Sequence, residues 1–400
     1  MSSSKKDTVI IGAGVIGCSV AYHLAQRGVP SRIIDRDSIA VRASGKAWGV
    51  FAYPPNVLGG ENLPADDLFS MPVGSTQPWL DLFWSGYHRL PDVALSLKER
   101  GGIDIGYKAM SFITAAFSED DERDLKQGIS DQKSRGYYEG YWIGEDDTKD
   151  IFHDINPLAR GAHLTPGYKV EPYRYTLGLA QAAEKMGVSI TQGEVVGFRH
   201  QGSKITSVTL ASGKEVQADV FVLAMGPWIG QGTAMLGKEL PVVISREQCV
   251  RVEMPKSLSP HYTLVSPSGL AIIPEVDGSV ILGHAGAIDL QKDFSAPLIL
   301  DETKLEVLEE AIDILPTINN AKIIEHRGDF LGWSPSPKSL QPVLGRLPRW
   351  DNGYIAARFG TSGIMLSLGA GELMADLIIA GGRIPDRVKT MMGTLSPDRL

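Results

Sequence analysis

Three glycines near the start of the chain form the pattern Gly12-x-Gly14-x-x-Gly17, whose chemistry is the binding of phosphate groups. Gly12 permits a tight turn after a strand, Gly14 lets a pyrophosphate approach the backbone, and Gly17 lets the following helix pack on the strand. Asp35 ends the next apolar segment, where a carboxylate accepts hydrogen bonds from the ribose hydroxyls of a nucleotide. These residues predict a dinucleotide site at the N-terminus of a helix.

The glycine pattern does not by itself distinguish NAD from FAD, but three later segments do. They are Arg42–Gly49 (RASGKAWG), Ala224–Trp228 (AMGPW) after an apolar strand, and Ala356–Gly363 (AARFGTSG) at the start of a helix. Together with the glycine pattern, these segments resemble the D-amino-acid oxidase superfamily, the FAD-dependent group that contains glycine oxidase and sarcosine oxidase. The likeness follows the chain order over nearly the whole length and is weakest in residues 50–150.

The resemblance implies a non-covalently bound FAD, because neither cysteine falls where some relatives attach the flavin. Cys18 lies in the first helix and Cys249 in a later strand, and both are predicted to be buried apolar side chains. A helix N-terminus at 360–365 would stabilise the negative charge of the reduced flavin. The residues to which the resemblance gives a role in binding FAD are Gly12, Gly14, Val15, Ile16, Gly17, Asp35, Arg36, Arg42, Ala43, Ser44, Ala47, Trp48, Gly49, Val195, Val196, Ala224, Gly226, Trp228, Arg358, Gly360, Thr361, Ser362, Gly363, Ile364 and Met365.

The substrate half of the pattern departs from that family. Where amino-acid oxidases of the group have Gly-x-Arg-Pro, this chain has Gly-Trp-Ser-Pro, so Ser334 takes the place of the arginine that clamps the substrate carboxylate. The lysine of sarcosine oxidases corresponds to Met365, and a tyrosine that often faces the substrate corresponds to Ala271. A serine or methionine does not replace a charged bidentate clamp. The binding free energy of a small α-amino acid is therefore expected to weaken by several kcal/mol.

Three explanations of this departure stay open. The substrate is an amine without a neighbouring carboxylate, or another cation holds the anion, or the correspondence is shifted by one or more residues. The candidate cations are Arg246, Arg251, Arg358 and Lys46, and for a shifted correspondence Arg327 lies a few positions upstream of Ser334.

Three residues are candidates for catalysis. His284 is predicted near the substrate face of the flavin, where it would accept a hydrogen bond from an amine; the alternative is a hydrogen-bonded histidine at a strand end. Tyr53 would cap the pocket or only pack in its loop, and Lys46 would lie near the flavin or be solvated. Two tryptophans would provide an aromatic wall for a cationic or ring substrate, or else pack in the core. The residues predicted to line the substrate site are Trp48, Ala271, Trp333 and Ser334.

The predicted function is the FAD-dependent oxidation of a C–N bond in an amine or an N-substituted amino acid. Hydride passes from the carbon beside nitrogen to flavin N5 and the imine hydrolyses; the amine lone pair drives the step, so no side-chain base is obligatory. The final acceptor is O2, a quinone or a protein. Ile281 replaces an oxygen-activating lysine of some relatives, which counts mildly against an oxidase. The alternatives are oxidation of a C–O bond in a hydroxy acid and a non-catalytic flavoprotein subunit.

The composition excludes several other classes. A net charge of −8 argues against a nucleic-acid-binding protein, two cysteines fit a reducing compartment, and the sequence contains no metal-binding motif. No stretch is predicted to be long and apolar enough to span a membrane, so a cytoplasmic location is expected. The oligomeric state and the identity of the amine are left open.

The elements that must position these residues begin with a βαβ unit over residues 8–35. A helix covers Pro172–Met186 with Pro172 in its first turn, a β-meander covers residues 194–217, and an apolar strand covers 219–223. Other predicted helices are 79–100, with a break at Pro91, 119–135, 301–315 and 364–380, whereas residues 150–167 are predicted to be irregular.

Four hundred residues are more than one compact core usually holds. The predicted fold class is α/β (α+β), with two domains. Residues 1–90, 150–235 and 325–400 form a discontinuous Rossmann-type FAD-binding domain, and residues 91–149 and 236–324 form an antiparallel-sheet substrate domain.

Overall fold

The computed structural model describes residues 6–52, 77–134, 136–284, 289–335, 341–381 and 383–399. The helices are α1 (Val15–Gln26), α2 (Ala43–Lys46), α3 (Gln77–Tyr87), α4 (Leu90–Ser96), α5 (Glu119–Ser134), α6 (Glu145–Ile151), α7 (Pro172–Lys185), α8 (Ile229–Ala234), α9 (Asp301–Ile314), α10 (Gly363–Ile379) and α11 (Lys389–Leu395). The strands are β1 (Thr8–Ile11), β2 (Ser31–Asp35), β3 (Val50–Ala52), β4 (Lys108–Ala116), β5 (Tyr141–Gly144), β6 (Gly161–Lys169), β7 (Ser189–Gln192), β8 (Val195–Gln201), β9 (Lys204–Leu210), β10 (Glu215–Gln217), β11 (Val220–Leu223), β12 (Val243–Glu253), β13 (Tyr262–Val265), β14 (Leu270–Pro274), β15 (Ser279–His284), β16 (Asp289–Gln291), β17 (Lys322–Trp333), β18 (Val343–Arg346) and β19 (Gly353–Ala357).

One sheet has six strands in the order β18-β19-β11-β1-β2-β7. All of its pairings are parallel except that of β18 with β19. The central strands β1 and β11 are short apolar runs, TVII and VFVL, and are wholly buried, as is typical of strands covered on both faces. The parallel strands place their carboxyl ends at one edge, which is where such sheets bind ligands.

A layer of helices packs beside this sheet, with α1 in contact with α7 and α10, and α10 in contact with α3. The approach of α1 and α10 is close because small residues meet there: a Cβ on Gly371 would lie 2.2 Å from Ser19 Oγ. The helical stretch Gly360–Ile379 is long and apolar enough to span a membrane, contrary to the sequence-based expectation, but 72% of its apolar window is buried within the protein. It therefore has the character of a core helix.

The larger sheet contains β16-β12-β15-β14-β13-β4-β6-β3, with β17 paired to β12 and β5 paired to β6. Its two faces have different roles, because successive side chains of a strand point to opposite faces. Val250 and Leu282 pack with Val307 of α9 on one face. Cys249 and Ile281 pack with Trp48 on the other. The second face looks toward the six-stranded sheet.

The predicted fold class is confirmed, and so are the βαβ unit, α7 and the β8–β10 meander. One local prediction was wrong. Residues 161–169 form β6, because pairing with β3, β4 and β5 outweighs the loop-like Gly and Pro content of GAHLTPGYK. The predicted break near Pro91 is confirmed, since α3 ends at Tyr87 and Pro91 lies in the first turn of α4. The domain boundaries remain a proposal; β3, β6 and β17 belong to the larger sheet.

Candidate active site

A long cleft follows the carboxyl edge of the six-stranded sheet. One side is formed by the segments that come after β1, β2, β11 and β19, and the other by β12 and β17 of the larger sheet. The cleft therefore lies between the two sheets.

The loop after β1 is formed by closely packed backbone. Gly12 has a φ of +114°, and a Cβ there would lie 2.2 Å from the carbonyl oxygen of Ala224. A Cβ on Gly17 would lie 1.9 Å from the carbonyl oxygen of Gly12. Both positions thus require glycine, and the N-terminus of α1 opens directly onto the cleft.

Asp35, at the end of β2, holds this loop in place. Its Oδ2 accepts a hydrogen bond from the backbone N–H of Ala13 at 2.7 Å, and its Oδ1 accepts one from Asp37 at 2.8 Å. Each carboxylate oxygen keeps a further lone pair, so the group retains the acceptor capacity that a ribose diol needs. Ser44 adds to the cradle, since its Oγ accepts from the N–H of Val15 at 3.0 Å.

Two arginines lie near the indole ring of Trp228. The guanidinium carbons of Arg36 and Arg42 are 4.1 and 5.4 Å from the ring centroid. Arg42 Nε also lies 2.8 Å from Asp37 Oδ2, and Trp228 stacks on Phe294 with centroids 4.9 Å apart. The guanidinium groups beside a helix N-terminus suit a diphosphate.

The opposite end of the cleft contains the turn that leads into α10. A Cβ on Gly360 would lie 2.3 Å from the ring of Trp333, whose Nε1 donates to Ser245 Oγ at 2.7 Å. Arg358 precedes this turn with a left-handed φ of +61°, and its guanidinium donates to the carbonyl oxygen of Pro241. Gly363 and the start of α10 line the cleft, so a second helix N-terminus faces it.

Trp48 lies between the cleft and the larger sheet. A Cβ on Gly283 would lie 2.4 Å from Trp48 Cζ2, so the indole rests against bare backbone of β15. The indole also packs on an apolar cluster that contains Cys249, Ala271 and Ile281. Trp48 therefore forms an aromatic surface at the cleft with an apolar support behind it.

The wall opposite the nucleotide segments contains an ion pair that joins the two sides of the cleft. Lys46 of α2 donates to Asp329 Oδ2 at 2.8 Å and to the Gly328 carbonyl oxygen at 3.1 Å. The Asp329 side chain is only 2% exposed, and its Oδ1 accepts from the N–H of Phe330 at 2.9 Å. Lys46 thus lines the cleft, and its ammonium is engaged by protein oxygens.

Arg327 lies on the same wall and is also engaged. Its Nη2 donates to the Ala47 carbonyl oxygen at 3.2 Å, and its Nη1 lies 3.4 Å from Glu325 Oε2. Cys249 is directly opposite it in the β12–β17 ladder, and burial raises the pKa of the Cys249 thiol. The thiol is therefore not activated as a nucleophile.

Glu247 is opposite Asp329 in this ladder, so the two carboxyl groups project from the same face. Burial raises the pKa of Glu247 to about 7. Among the residues that the structure describes, it has neither an ion pair nor a side-chain hydrogen bond.

Most of the predicted cofactor residues lie together along the cleft. Those that line it, with Lys46, are Gly12, Gly14, Val15, Ile16, Asp35, Arg36, Arg42, Ala43, Ser44, Ala47, Trp48, Val195, Ala224, Gly226, Trp228, Arg358, Gly360, Thr361, Gly363 and Ile364. The predicted residues outside the lining are Gly17, Gly49, Val196, Ser362 and Met365, of which Gly17 acts through helix packing and Val196 is exposed.

The structure places His284 away from the cleft. It follows Val280 and Leu282 on the α9 face of β15, and its Nε2 is 3.7 Å from Glu310 Oε2. Alternation along the strand turns its side chain from the Trp48 face. The structure therefore corrects the prediction that His284 contacts the substrate.

The remaining substrate-site predictions also change. Ala271, Trp333 and Ser334 are buried and do not line the cleft. Trp333 supports the turn at Gly360, and Ala271 supports Trp48, so both act from behind the surface. Tyr53 lies outside the described residues.

Two of the cations that could replace the missing arginine bind other protein groups outside the cleft. Arg246 donates through Nε to Asp289 Oδ2 at 2.8 Å and also to the Pro297 carbonyl oxygen. Arg251 donates through Nε to Ser279 Oγ at 2.8 Å and pairs with Asp277. Neither lines the cleft.

Sequence reasoning missed much of the wall formed by β12 and β17. Glu247 and Asp329 belong to strands that mix charged and apolar residues, VISREQCVRVE and KIIEHRGDFLGW, so no local pattern sets them apart. Their proximity depends on the pairing of two strands that are distant in sequence. The lining residues absent from the prediction include Glu194, Glu247, Gln248, Cys249, Gly328 and Asp329.

The residues present fit FAD. The backbone cradle at Gly12, the carboxylate of Asp35 and the two arginines at Trp228 serve a dinucleotide, and the α10 N-terminus serves a ring that becomes anionic. The Ser362 Oγ beneath that N-terminus is buried and has no hydrogen-bond partner among the described residues.

Comparisons with known proteins agree with this geometry. The family model described as FAD dependent oxidoreductase matches residues 7–377. A glycine oxidase of Bacillus licheniformis is 26% identical over 93% of this chain and 93% of the relative, and the uncharacterized oxidoreductase YurR of Bacillus subtilis (strain 168) is 26% identical over 94% and 95%. The crystal structure of glycine oxidase from Bacillus cereus ATCC 14579 superposes with a TM-score of 0.82 at 24% identity, covering 95% of this chain and 96% of that one. Iminodiacetate oxidase from Chelativorans sp. BNC1 superposes with a TM-score of 0.79 at 22% identity, covering 97% and 99%. The structural likenesses show the fold.

Proposed function

The chain belongs to the family of FAD-dependent oxidoreductases, and we propose that it oxidises the C–N bond of a small amine, with an amine that has no carboxylate preferred to an N-substituted amino acid. The relatives named glycine oxidase support a C–N bond as the site of reaction. Imine hydrolysis then gives a carbonyl compound together with ammonia from a primary amine or a smaller amine from an N-substituted one.

The observation that supports an amine best is the state of the cations along the cleft. Lys46 is held by Asp329, Arg327 by Glu325 and the Ala47 carbonyl oxygen, and Arg358 by the Pro241 carbonyl oxygen. A carboxylate clamp needs a guanidinium or ammonium whose donors are available. Each of these cations already contacts a protein oxygen, while Arg327 Nε is buried without a hydrogen-bond partner among the described residues. A bidentate clamp on an anionic substrate needs two donors, so it would have to displace existing contacts.

FAD, when bound, supplies the acceptor for the two electrons and the hydrogen that leave the carbon beside nitrogen. The protein's part is to bind, orient and desolvate the amine. Trp48 provides a flat apolar surface on its Gly283 support, which suits the alkyl part of an amine and attracts a cationic nitrogen. Ile281 stands where the resemblance places an oxygen-activating lysine of some relatives, and it packs in the apolar cluster behind that surface; the lack of this lysine supports an electron acceptor other than O2.

Anaerobic reduction of the holoenzyme tests the class of reaction. Primary, secondary and cyclic amines are mixed with the enzyme, and the loss of flavin absorbance is followed; 2-hydroxy acids of similar size serve as the comparison. We expect amines to bleach the flavin and hydroxy acids to leave it oxidised. Bleaching by hydroxy acids alone would replace the proposal with C–O oxidation.

A further inference from the structure

Glu247 sits in the cleft wall in a charge environment unlike that of its neighbours. Four other charged groups belong to the surrounding elements: Lys46 of α2, Asp329 and Arg327 of β17, and Arg358 after β19. Lys46 and Asp329 bind each other, and the two arginines bind other protein oxygens. Glu247 is thus left as a carboxyl group without a cationic partner within the described part of the chain.

The position of the side chain follows from strand geometry. Ser245, Glu247 and Cys249 alternate along β12, and their neighbours on the same face of β17 are Leu331, Asp329 and Arg327. Ser245 binds Trp333 beneath the Gly360 turn, and Cys249 packs with Trp48. Glu247 therefore lies between these two supports, at the part of the cleft where the α10 N-terminus and Trp48 meet the larger sheet.

We propose that Glu247 is the substrate-binding and proton-accepting residue, which receives the cationic nitrogen of the amine and takes its proton. This inference rests on the proposed oxidation of an amine. In the step, an N–H bond of the ammonium breaks and an O–H bond forms on the carboxylate, leaving a neutral amine and a neutral carboxylic acid. The electron pair of the N–H bond stays on nitrogen and a carboxylate lone pair forms the O–H bond, so nothing is oxidised or reduced. The neutral amine then has the lone pair that C–N oxidation requires.

The electrostatics of the wall favour that transfer. Burial raises the pKa of Glu247 to about 7, so the ionised form is present above that pH and can pair with an ammonium ion. Moving the proton replaces two buried charges by two neutral groups, which a poorly solvated site favours. Cys249, the other titratable neighbour on β12, remains a thiol because burial raises its pKa.

An amine that cannot be oxidised separates binding from catalysis. tert-Butylamine has no hydrogen on the carbon that carries nitrogen, and tert-butanol is its neutral counterpart. Calorimetric titration of the holoenzyme should show tert-butylammonium binding that strengthens as the pH rises through about 7, whereas tert-butanol binding should show no such step. Glu247→Gln should weaken tert-butylammonium binding about 10- to 100-fold and remove the pH step.

Two further variants control the experiment. Glu247→Asp keeps a carboxylate and should retain a pH-dependent step with intermediate affinity. Glu253→Gln changes an exposed glutamate of the same strand, outside the cleft, and should bind like the wild type. Since Glu247→Gln replaces a half-buried carboxyl group by a neutral amide of the same shape, it should fold and keep FAD, which its absorbance spectrum verifies.

Flavin reduction by an oxidisable amine provides the second measurement. In the wild type, the anaerobic reduction rate should rise with pH through about 7. In Glu247→Gln, the rise should move toward the pKa of the free amine, and the rate at pH 7 should fall about 100-fold. Unchanged binding and an unchanged pH profile in a folded, FAD-loaded Glu247→Gln would overturn the role of Glu247. If amines fail to reduce even the wild-type enzyme, the proposed function itself is wrong.

Discussion

The two ends of the cleft present different parts of the protein to a ligand. At the nucleotide end the surface is mainly backbone: the turn at Gly12, the N-terminus of α1 and the loop after β11 approach within distances that exclude a Cβ. On the wall formed by β12 and β17 the surface is side chain, with Glu247, Arg327 and Asp329 from two paired strands.

This difference separates the backbone of the nucleotide end, which cofactor binding constrains, from the side chains of the wall, which can differ with the substrate. A backbone cradle binds the same phosphate and ribose groups whatever the substrate, and it fails when a single glycine is replaced. A wall of side chains on a stable sheet can change its charge pattern without a change in fold. The substrate preference of this protein is therefore expected to reside in β12 and β17.

The largest effect is expected at the backbone end. Gly12→Ala places a Cβ 2.2 Å from the Ala224 carbonyl oxygen, at a φ of +114°, so the loop must move. The displacement costs about 3 kcal/mol or more, and FAD affinity should fall by more than about 100-fold. Fluorescence titration of the apoprotein with FAD measures this.

Gly128→Ala is the matched control. A Cβ there has no described atom within 4 Å and the residue lies inside α5, so this change should stabilise the protein by about 0.5 to 1 kcal/mol and leave FAD binding unchanged. Equal FAD affinity in the Gly12 and Gly128 variants would show that the cradle does not bind the cofactor.

A smaller effect is expected at the ion pair that joins the two sides of the cleft. Lys46→Met leaves Asp329 buried without its cation, and the free energy of unfolding should fall by about 1 to 3 kcal/mol, a range lowered to allow for the partial exposure of Lys46. Urea denaturation of the holoenzyme gives the value. Because Lys46→Met with Asp329→Asn removes both charges, the double variant should recover part of the loss; a strictly additive loss would mean that the two groups do not interact.

The smallest effect is expected at Gly283, where the neighbouring Trp48 side chain can move to make room. Gly283→Ala sets a Cβ 2.4 Å from Trp48 Cζ2, and the indole rather than the strand has to shift. The fold and the FAD affinity should stay unchanged, while the binding free energy of an amine should change by about 1 kcal/mol. Gly197→Ala, whose Cβ would meet Thr209 Cβ at 3.9 Å, is the control; equal amine affinity in both variants would argue against a contact between Trp48 and the substrate.

The same division explains what the sequence could predict. The cradle was predictable because Gly12, Gly14, Gly17 and Asp35 act through a local strand-turn-helix unit whose spacing is visible in the chain. The absence of an arginine at 334 was also visible. Its consequence was not, because the charged residues of the wall meet only through the pairing of β12 with β17. His284 was misplaced for a related reason: which face of β15 it occupies is decided by tertiary packing.

The central claim is that the site favours an amine that has no carboxylate to clamp. It is tested most directly with matched pairs in which the carboxylate is the main difference: pyrrolidine with each enantiomer of proline, methylamine with glycine, and dimethylamine with sarcosine. Anaerobic stopped-flow measurement gives the second-order rate constant of flavin reduction for each compound. We predict that the amine is the faster member wherever a pair reacts. Faster reduction by proline, glycine or sarcosine than by its matched amine would contradict the account.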